Sequence, residues 1–357
     1  MIKPIINKLI LNYSANKSEP EKVVGKLNEF ASAKRILLLR QDRIGDVLIT
    51  LPFLKKLREV LNTAEIDILL SHKNKSADFV LNGLVDNVIV MKSGVSGYKD
   101  TLSYLKNSDY DIVIDLLDNS STTSTMLIGA ANSKLKLGFD KENRSVYSHI
   151  VELPDKTKYI ITERLNNLLI PFVGSSENNQ THEIQLNEYD INEAENAINW
   201  AEDKLRVGIN LSGSNDSKNW GTGNYIAFLK SCKSKYESLD FRCFTTMSNK
   251  LQLSEIVTAT GAKSAPFVSS FREFSAMIAT CDIVITPDTS VVHLCSGFDI
   301  PCIGLYLVSD NPNVGMPWKP ESKHSNVLTA PNSESLDYIK ITDVLHALDE
   351  IIEEIND

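Results

Sequence analysis

The chain contains 357 residues, and its 46 acidic and 37 basic side chains give a formal charge of −9. A chain of this length fits two domains. Hydrophobic residues make up 42% and charged residues 23%, which argues against a disordered chain, a collagen or a coiled coil. No apolar run approaches the roughly 20 residues that a membrane-spanning helix needs. The acidic balance argues against general nucleic-acid binding.

The charge is unevenly distributed along the sequence. Residues 1–75 contain 14 Lys or Arg and 8 Asp or Glu, a balance of +6. Residues 332–357 contain one Lys and 8 acidic residues, a balance of −7. A basic N-terminal region on an acidic protein favours an anionic partner for that region. An ordinary solvated surface is the alternative explanation.

The cysteine and histidine patterns predict neither disulfides nor a metal site. The five cysteines form no Cys-x-x-Cys pair, so we expect buried, reduced thiols in a cytoplasmic protein. The histidines lack the spacing of metal ligands. The first residues also lack the apolar region and cleavage site of a signal peptide. An amphipathic stretch from Ile5 to Leu11 predicts a segment that docks on the protein or lies on a membrane surface.

The first half of the chain alternates strand and helix patterns. The apolar run from Ile36 to Leu39 predicts a buried parallel strand. A helix is expected to open at Asp46 and to bend at Pro52. Further strands are predicted over residues 66–70, 88–91 and 111–117. This alternation is typical of an α/β domain with a parallel sheet.

A polar stretch over residues 171–192 separates this half from a second series of strands and helices. The second series is predicted at residues 207–211, 225–232, 241–245, 271–279, 281–286, 291–298, 301–306 and 336–355. Two α/β halves joined by a linker form a cleft. Ligands of open α/β sheets bind beyond the carboxyl ends of the strands.

The segment RQDRIGDVL at residues 40–48 carries the first candidate chemistry. The sequence contains no P-loop, no dinucleotide fingerprint after a strand and no GxSxG elbow. Gly45 permits close backbone approach at a strand-to-helix turn, and the helix dipole favours an ionised Asp46. Such a carboxylate can take a proton from a hydroxyl group. A capping role for Asp46 is the alternative.

Two segments of the second half suit a phosphate. Residues 211–220, LSGSNDSKNW, place small hydroxyl residues, a glycine and Lys218 after a strand. Residues 287–293, PDTSVVH, place backbone N–H groups at a helix start, with His293 one turn after Thr289. The alternatives are an ordinary polar loop and a core histidine.

Taken in this order, the three segments resemble glycosyltransferase family 9, the bacterial heptosyltransferase family. That family typically opens with a strand followed by (L)DRIGDVLLTLP, and this chain reads ILLLRQDRIGDVLITLP at residues 36–52. The block ATCDIVITPDTSVVHLCSGFDIPCIGLY at residues 279–306 is equally specific. DIVIDLLDN, KLGFD and INLSGSNDSKNW are softer matches, and the resemblance spans roughly residues 35–320.

The resemblance implies an α/β fold of the GT-B class, with two Rossmann-like domains facing a central cleft. The expected divisions are an N-terminal extension at 1–34, an acceptor-binding domain at 35–175, a linker at 176–195, a nucleotide-sugar-binding domain at 196–331, and a C-terminal helix at 332–357 that packs back on the N-terminal domain.

The resemblance also implies site residues. Asp46 matches the family's proposed general base and is expected to be catalytic. The residues expected to bind the donor are Ser214, Lys218, Asp288, Thr289, Ser290 and His293. From their charge, Arg40, Arg43 and Arg144 are expected to meet an anionic acceptor. No metal or cofactor is expected, because cations and N–H donors stabilise the leaving diphosphate.

The implied function is metal-independent, inverting transfer of a heptose from an ADP-activated donor to a lipopolysaccharide or lipooligosaccharide core acceptor. The expected partners are therefore a nucleotide sugar and an anionic glycolipid. The expected location is the cytoplasm, with peripheral contact at the inner-membrane surface. No nucleic-acid partner is expected.

Departures from the family pattern leave the donor open. Ser290 stands where the family usually has glycine, and residues 245–248 replace a common Gly-Gly-Pro. Asn249 replaces an acidic residue that often contacts the nucleoside. One alternative is therefore a different nucleotide-sugar donor, used in O-antigen, capsule or core assembly. Another is a non-catalytic sugar-nucleotide or glycan-binding protein.

Overall fold

A computed structural model of the protein describes residues 18–308 and 318–356. The chain divides into two compact units, Met1–Thr181 and His182–Asp357. Each unit contains a parallel sheet whose strands are connected through helices. The predicted α/β class with two Rossmann-like domains is confirmed. The predicted amphipathic segment from Ile5 to Leu11 lies outside the described residues.

The first unit is built on a seven-stranded sheet with the order β1-β7-β6-β5-β2-β3-β4. Its strands are β1 (Glu21–Lys22), β2 (Arg35–Leu39), β3 (Glu65–Ser71), β4 (Asn87–Met91), β5 (Ile112–Asp115), β6 (Leu135–Phe139) and β7 (His149–Val151). Its helices are α1 (Asn28–Ala31), α2 (Ile44–Leu48), α3 (Leu51–Val60), α4 (Gly94–Asn107), α5 (Thr122–Ala130), α6 (Ile161–Asn166) and α7 (Ile170–Val173).

Strand β2 lies in the interior of this sheet, between β3 and β5. Its residues 36–39 are fully buried, as the apolar run predicts for a parallel strand covered on both faces. The expected bend at Pro52 is a break between two helices. Helix α2 ends at Leu48, and Pro52 takes the second position of α3, where its missing N–H costs no helical hydrogen bond.

Part of the N-terminal extension belongs to the first sheet. Strand β1 pairs in parallel with β7 at the sheet edge. Phe30 on α1 is fully buried, with its ring 5.4 Å from Phe172 and 5.1 Å from His149, both edge to face. Burial of an aromatic ring stabilises this docking by about 2 kcal/mol.

The second unit is built on a six-stranded sheet with the order β10-β9-β8-β11-β12-β13. Its strands are β8 (Leu205–Asn210), β9 (Leu239–Phe244), β10 (Lys263–Ser264), β11 (Ile283–Pro287), β12 (Cys302–Tyr306) and β13 (Ser325–Thr329). Its helices are α8 (Glu188–Ile198), α9 (Thr222–Lys235), α10 (Lys250–Thr260), α11 (Phe271–Ala279), α12 (Ser290–Phe298) and α13 (Ile341–Asn356).

Helix α8 occupies the second half of the segment expected as a linker. The side chain of Asn187 caps it by accepting from the Asp190 N–H at 2.8 Å, and Ala194 and Ile198 are buried. Asp190 also pairs with Arg272 of α11 at 2.7 Å. The polar composition of this segment therefore reflects an exposed helix face.

The C-terminal helix α13 packs within the second unit. Its apolar residues Val344, Ala347, Leu348 and Ile351 belong to the buried core formed with strands β8, β9, β11 and β12. This contact covers the apolar face of the second unit's own sheet, and the expected packing on the N-terminal domain stays a prediction. The five cysteines are all unpaired and buried, which confirms the prediction of reduced thiols.

Candidate active site

In each sheet, successive strands are first added on one side of a central strand and then on its other side. The position between the two series is called the switch point here. In the first unit this point lies between β2 and β5, and in the second between β8 and β11. Connections leave in opposite directions there and open a crevice at the carboxyl ends of the strands. Of the residues predicted to act, those of the first unit follow β2, except Arg144, which follows β6; those of the second unit follow β8 and β11. Each unit thus has one candidate site.

Asp46 lies in the first turn of α2, in the loop region after β2. Its Oδ2 accepts a hydrogen bond from the Arg43 N–H at 2.8 Å, and its Oδ1 lies 3.9 Å from Nη2 of Arg40. The residue is only 4% exposed. Burial raises the pKa of Asp46, and Arg40 and the Arg43 N–H oppose that rise. A carboxylate with a raised pKa is a stronger proton acceptor.

Arg40 holds the two loops of this switch point together. The side chain is 2% exposed. Its Nε donates to the Asp46 carbonyl at 2.7 Å, and its Nη1 donates to the Leu116 carbonyl at 3.0 Å. These contacts engage Nε and Nη1, whereas Nη2 makes no hydrogen bond among the described residues, and a direct acceptor contact stays a prediction.

Asp42 is a second carboxylate beside Arg40. Its Oδ2 lies 3.4 Å from Nη1 of Arg40, and its Oδ1 is buried and accepts no hydrogen bond from an N–H or O–H group of the described residues. Burial raises the pKa of Asp42 to about 7, and the charge of Asp46 contributes to that rise while Arg40 opposes it.

The other two predicted arginines are more accessible. Arg43 is exposed, and Arg144, at the start of the 3₁₀ turn Arg144–Val146, donates to Asp140 at 2.8 Å. The Arg144 side chain is 43% exposed. Both remain available for a soluble anionic group.

A buried charge network lies next to Arg40 at the end of β5. Asp115 is fully buried, and its Oδ2 lies 3.0 Å from Nζ of Lys141 and accepts from the Tyr147 hydroxyl at 2.6 Å. Asp118, three residues on, accepts from Nη2 of Arg164 at 2.8 Å. Burial and the Asp115 charge raise the pKa of Tyr147 well above its ordinary value, so this hydroxyl remains a donor.

In the second unit, Lys218 and Asp288 form an ion pair across the switch point. Lys218 ends the 3₁₀ turn Asp216–Lys218 in the loop after β8, where Asn215 caps the turn by accepting from the Lys218 N–H at 3.1 Å. Asp288 follows β11 directly. Both side chains are partly exposed, so an anion can compete with Asp288 for the ammonium group.

Thr289 caps helix α12 beside this ion pair. Its Oγ1 accepts from the Val291 N–H at 3.3 Å and from Nδ2 of Asn210 at 3.2 Å. Asn210 is 3% exposed at the end of β8 and also donates to Thr286 at 2.9 Å. Ser290 opens the helix, so its backbone N–H belongs to the positive end of the helix dipole.

The remaining predicted donor residues lie in different surroundings. Ser214 is exposed on the loop after β8. His293 is buried on α12, with its ring 5.8 Å from Trp318 and 6.5 Å from His182. The structure thus brings Lys218, Asp288 and Thr289 together and places His293 in an aromatic environment one turn further along the helix.

Among residues 18–308 and 318–356, no three His, Cys, Asp or Glu side chains are grouped to hold a metal ion. Within the same ranges, no helix has the length and apolar character needed to cross a membrane.

Comparison with known families identifies the chain. The model of glycosyltransferase family 9 (heptosyltransferase) matches residues 101–346, well over half of the sequence. The chain belongs to glycosyltransferase family 9. It is therefore a glycosyltransferase of the heptosyltransferase family, as its motifs predicted.

Individual proteins that are similar to this family 9 enzyme are also heptosyltransferases or family 9 glycosyltransferases. The lipopolysaccharide core heptosyltransferase OpsX of Haemophilus influenzae is 20% identical over 282 residues, which are 76% of this chain and 79% of OpsX. A solved family 9 glycosyltransferase from Veillonella parvula has a TM-score of 0.75 at 19% identity, covering 90% of this chain and 97% of that one. The ADP-heptose LPS heptosyltransferase II of E. coli has a TM-score of 0.72 at 17% identity, covering 90% and 100%. These likenesses confirm the GT-B fold.

The family 9 motifs did not point to every residue of the two sites. Asp42, Asp115, Lys141 and Asn210 were not predicted. Asn210 carried a signal, since a polar residue that ends a buried strand at a switch point commonly faces a ligand. Asp115 and Lys141 are 26 residues apart, and no local pattern joins them.

Proposed function

We propose that this enzyme transfers a heptose from ADP-heptose to a lipopolysaccharide or lipooligosaccharide core acceptor, with inversion and without a metal ion. Membership of the heptosyltransferase family supports the reaction class. OpsX is a lipopolysaccharide core heptosyltransferase and the E. coli relative is an ADP-heptose heptosyltransferase, which supports the core acceptor and the ADP-heptose donor.

The observation that carries the proposal is the environment of Asp46. One carboxylate oxygen is fixed by the Arg43 N–H, and burial raises the pKa of the group. An inverting displacement needs one base at the acceptor hydroxyl. Asp46 combines a fixed orientation with an increased proton affinity at the carboxyl edge of the sheet.

In the proposed step, Asp46 takes the proton of the acceptor hydroxyl. The acceptor oxygen forms a bond to the anomeric carbon of the heptose, and the bond from that carbon to the diphosphate oxygen breaks. The electron pair leaves with ADP, and Asp46 later releases its proton to water. The donor configuration at the anomeric carbon is inverted.

Lys218 and the start of α12 are proposed to hold the leaving diphosphate. The ammonium group of Lys218 offers a charge-assisted hydrogen bond, and the N–H groups after Thr289 lie at the positive end of a helix. Asp288, Ser214, Ser290 and His293 complete the proposed donor set, with Asp288 orienting Lys218.

The acceptor is proposed to be an anionic glycolipid at the inner-membrane surface, reached peripherally from the cytoplasm. The exposed Arg43 and Arg144, together with the basic balance of residues 1–75, support this assignment. Arg40, which is buried, is proposed to hold the loop and to meet the acceptor through its remaining Nη2.

Replacement of Asp46 tests the proposal. Asp46→Asn should reduce the turnover of ADP-heptose with a core acceptor by about 10²–10⁴-fold, the contribution of a general base. The affinity for ADP, measured by calorimetry, should stay within about twofold because the donor groups belong to the other unit. A variant that keeps near-normal turnover would exclude Asp46 as the base.

A different donor nucleotide is the second candidate, and the loop after β9 favours it. Here Thr245 shares a 3.0 Å hydrogen bond with Ser212, and Met247 is 64% exposed. Asn249 supplies an amide where the family often has an acidic group. A thermal-shift comparison of ADP, UDP, GDP and CDP decides between them, since the nucleotide that binds the folded state raises its stability.

A further inference from the structure

Asp42 and Asp46 share one buried cation. Asp42 Oδ2 lies 3.4 Å from Nη1 of Arg40, and Asp46 Oδ1 lies 3.9 Å from Nη2 of the same guanidinium. Arg40 and Asp46 are almost completely buried, and the Asp42 side chain is 25% exposed. When both carboxylates are ionised, the cluster therefore carries one uncompensated negative charge.

Among the surrounding charges of the described residues, only the exposed Arg43 offsets part of this excess, since its charge lowers the pKa of Asp46. Asp115 and Asp118, on the strand end next to Arg40, pair with their own buried cations, Lys141 and Arg164, and Lys156 also pairs with Asp118. The charged or titratable side chains of the segment that follows β3 are exposed to solvent; they are His72, Lys73, Lys75 and Asp78. Arg43 is exposed as well. Ionisation of the second carboxylate is therefore disfavoured by the first.

Asp42 is not needed to hold Arg40 in place. The guanidinium is already fixed by the carbonyl oxygens of Asp46 and Leu116 at 2.7 and 3.0 Å. Asp42 Oδ1 is also buried, and no N–H or O–H group of the described residues donates to it. A buried carboxylate oxygen that accepts no hydrogen bond destabilises the folded state. Such a cost at the carboxyl edge of a sheet indicates a functional role for the side chain.

We propose that Asp42 is a positioning residue that sets the proton affinity of Asp46, the two carboxylates titrating as one pair around Arg40. The proposal rests on the proposed role of Asp46 as the base. Two interacting carboxyl groups lose their protons in two separated steps that belong to the pair. Burial is the main cause of the raised pKa of both groups; the charge of Asp46 adds to the rise at Asp42, and a side-chain hydrogen bond with Asp42 lowers the pKa of Asp46.

The pH dependence of kcat/KM for heptosyl transfer tests the proposal. Asp42→Asn removes the carboxyl proton that Asp42 shares with Asp46, and because that hydrogen bond lowers the pKa of Asp46, the acidic limb of the profile should move to higher pH. Asp42→Glu retains the carboxyl group and should leave the limb close to its wild-type position. An acidic limb that stays in place in Asp42→Asn, with only kcat reduced, would mean a purely structural role and would overturn the proposal.

A second measurement needs neither substrate nor a stable Asp42 variant. In protein labelled with ¹³C at the aspartate carboxyl groups, the Asp42 resonance should titrate at lower pH in Asp46→Asn than in the wild type. Equal titration midpoints would overturn the coupling. If instead Asp46→Asn remains active in transfer, the proposed function of Asp46 fails, whatever the titration shows.

Discussion

Lys218 and Asp288 form an ion pair that joins the two loops at the switch point of the second sheet. They are 70 residues apart in sequence. Lys218 follows β8 and Asp288 follows β11, and these two strands are neighbours in the sheet. Because both side chains remain partly exposed, a diphosphate can enter and take the ammonium group from Asp288. In the proposed donor site, this pair keeps the cation oriented before the nucleotide sugar binds.

Loss of the Lys218 charge should weaken nucleotide binding. Lys218→Met removes a charge-assisted hydrogen bond of about 1.5–3 kcal/mol, which corresponds to a roughly 10–100-fold increase in Kd for ADP. Isothermal titration calorimetry measures this effect. Lys230→Met, at an exposed position on α9, is the matched control and should leave Kd unchanged. An unaltered Kd in Lys218→Met would remove this lysine from the donor site.

Gly213 should be required for the position of Lys218. A Cβ atom at Gly213 would lie 2.1 Å from the Lys218 carbonyl oxygen, so Gly213→Ala must displace the turn that carries the lysine. We expect ADP binding to weaken several-fold, with a loss of stability of about 1–3 kcal/mol. Gly223→Ala is the control, because no atom lies within 4 Å of its added Cβ. Equal ADP affinities in the two variants would contradict this role.

The sequence predicts the positions of strands and helices better than it predicts the side-chain contacts in the loops after the strands. The strand expected at residues 36–39 is observed at Arg35–Leu39, and the helix expected at residues 271–279 is observed at those residues. Both depend on local apolar periodicity, which the sequence carries directly. The position of Asp46 was predicted because Gly45 and Asp46 form one local motif.

The unpredicted features depend on distant residues. Asp42 acquires its character from its burial and from the charges of Arg40 and Asp46. Helix α8 depends on its cap and on Arg272 of α11, which is 82 residues away from Asp190. The sequence of α8 is polar, with only two buried apolar residues. Without the contact to Arg272, such a sequence is typical of a linker.

The buried pair of Asp115 and Lys141 should be important for stability. The side chains are 0% and 4% exposed, so Lys141→Met leaves a buried carboxylate without its cation, at a cost of about 3–5 kcal/mol. Chemical denaturation measures the loss, and the double variant with Asp115→Asn should recover part of it. Lys158→Met is the control, because Lys158 and Asp155 form an exposed pair worth less than about 1 kcal/mol. Equal losses in the two lysine variants would contradict the burial argument.

Asp42 should lower stability as the pH rises. Its pKa increases from an ordinary value of 3.8 to about 7 on folding, so between these values the folded state binds more protons than the unfolded state. Stability then falls with increasing pH across that window. Asp42→Asn removes the pH-dependent contribution of this carboxyl group to stability. The melting temperature of the variant minus that of the wild type should therefore be larger at pH 8 than at pH 5.

The size of this effect follows from the linkage between protonation and folding. Each unit of pKa difference corresponds to about 1.4 kcal/mol, and a domain of this size shifts its melting temperature by about 2–4 °C per kcal/mol. Differential scanning calorimetry at several pH values measures the difference between variant and wild type. Glu202→Gln, at an exposed position, should show a difference that does not change with pH. If the difference for Asp42→Asn is also independent of pH, Asp42 is ionised to the same extent in the folded and unfolded states. That result would contradict the expected rise in its pKa on folding.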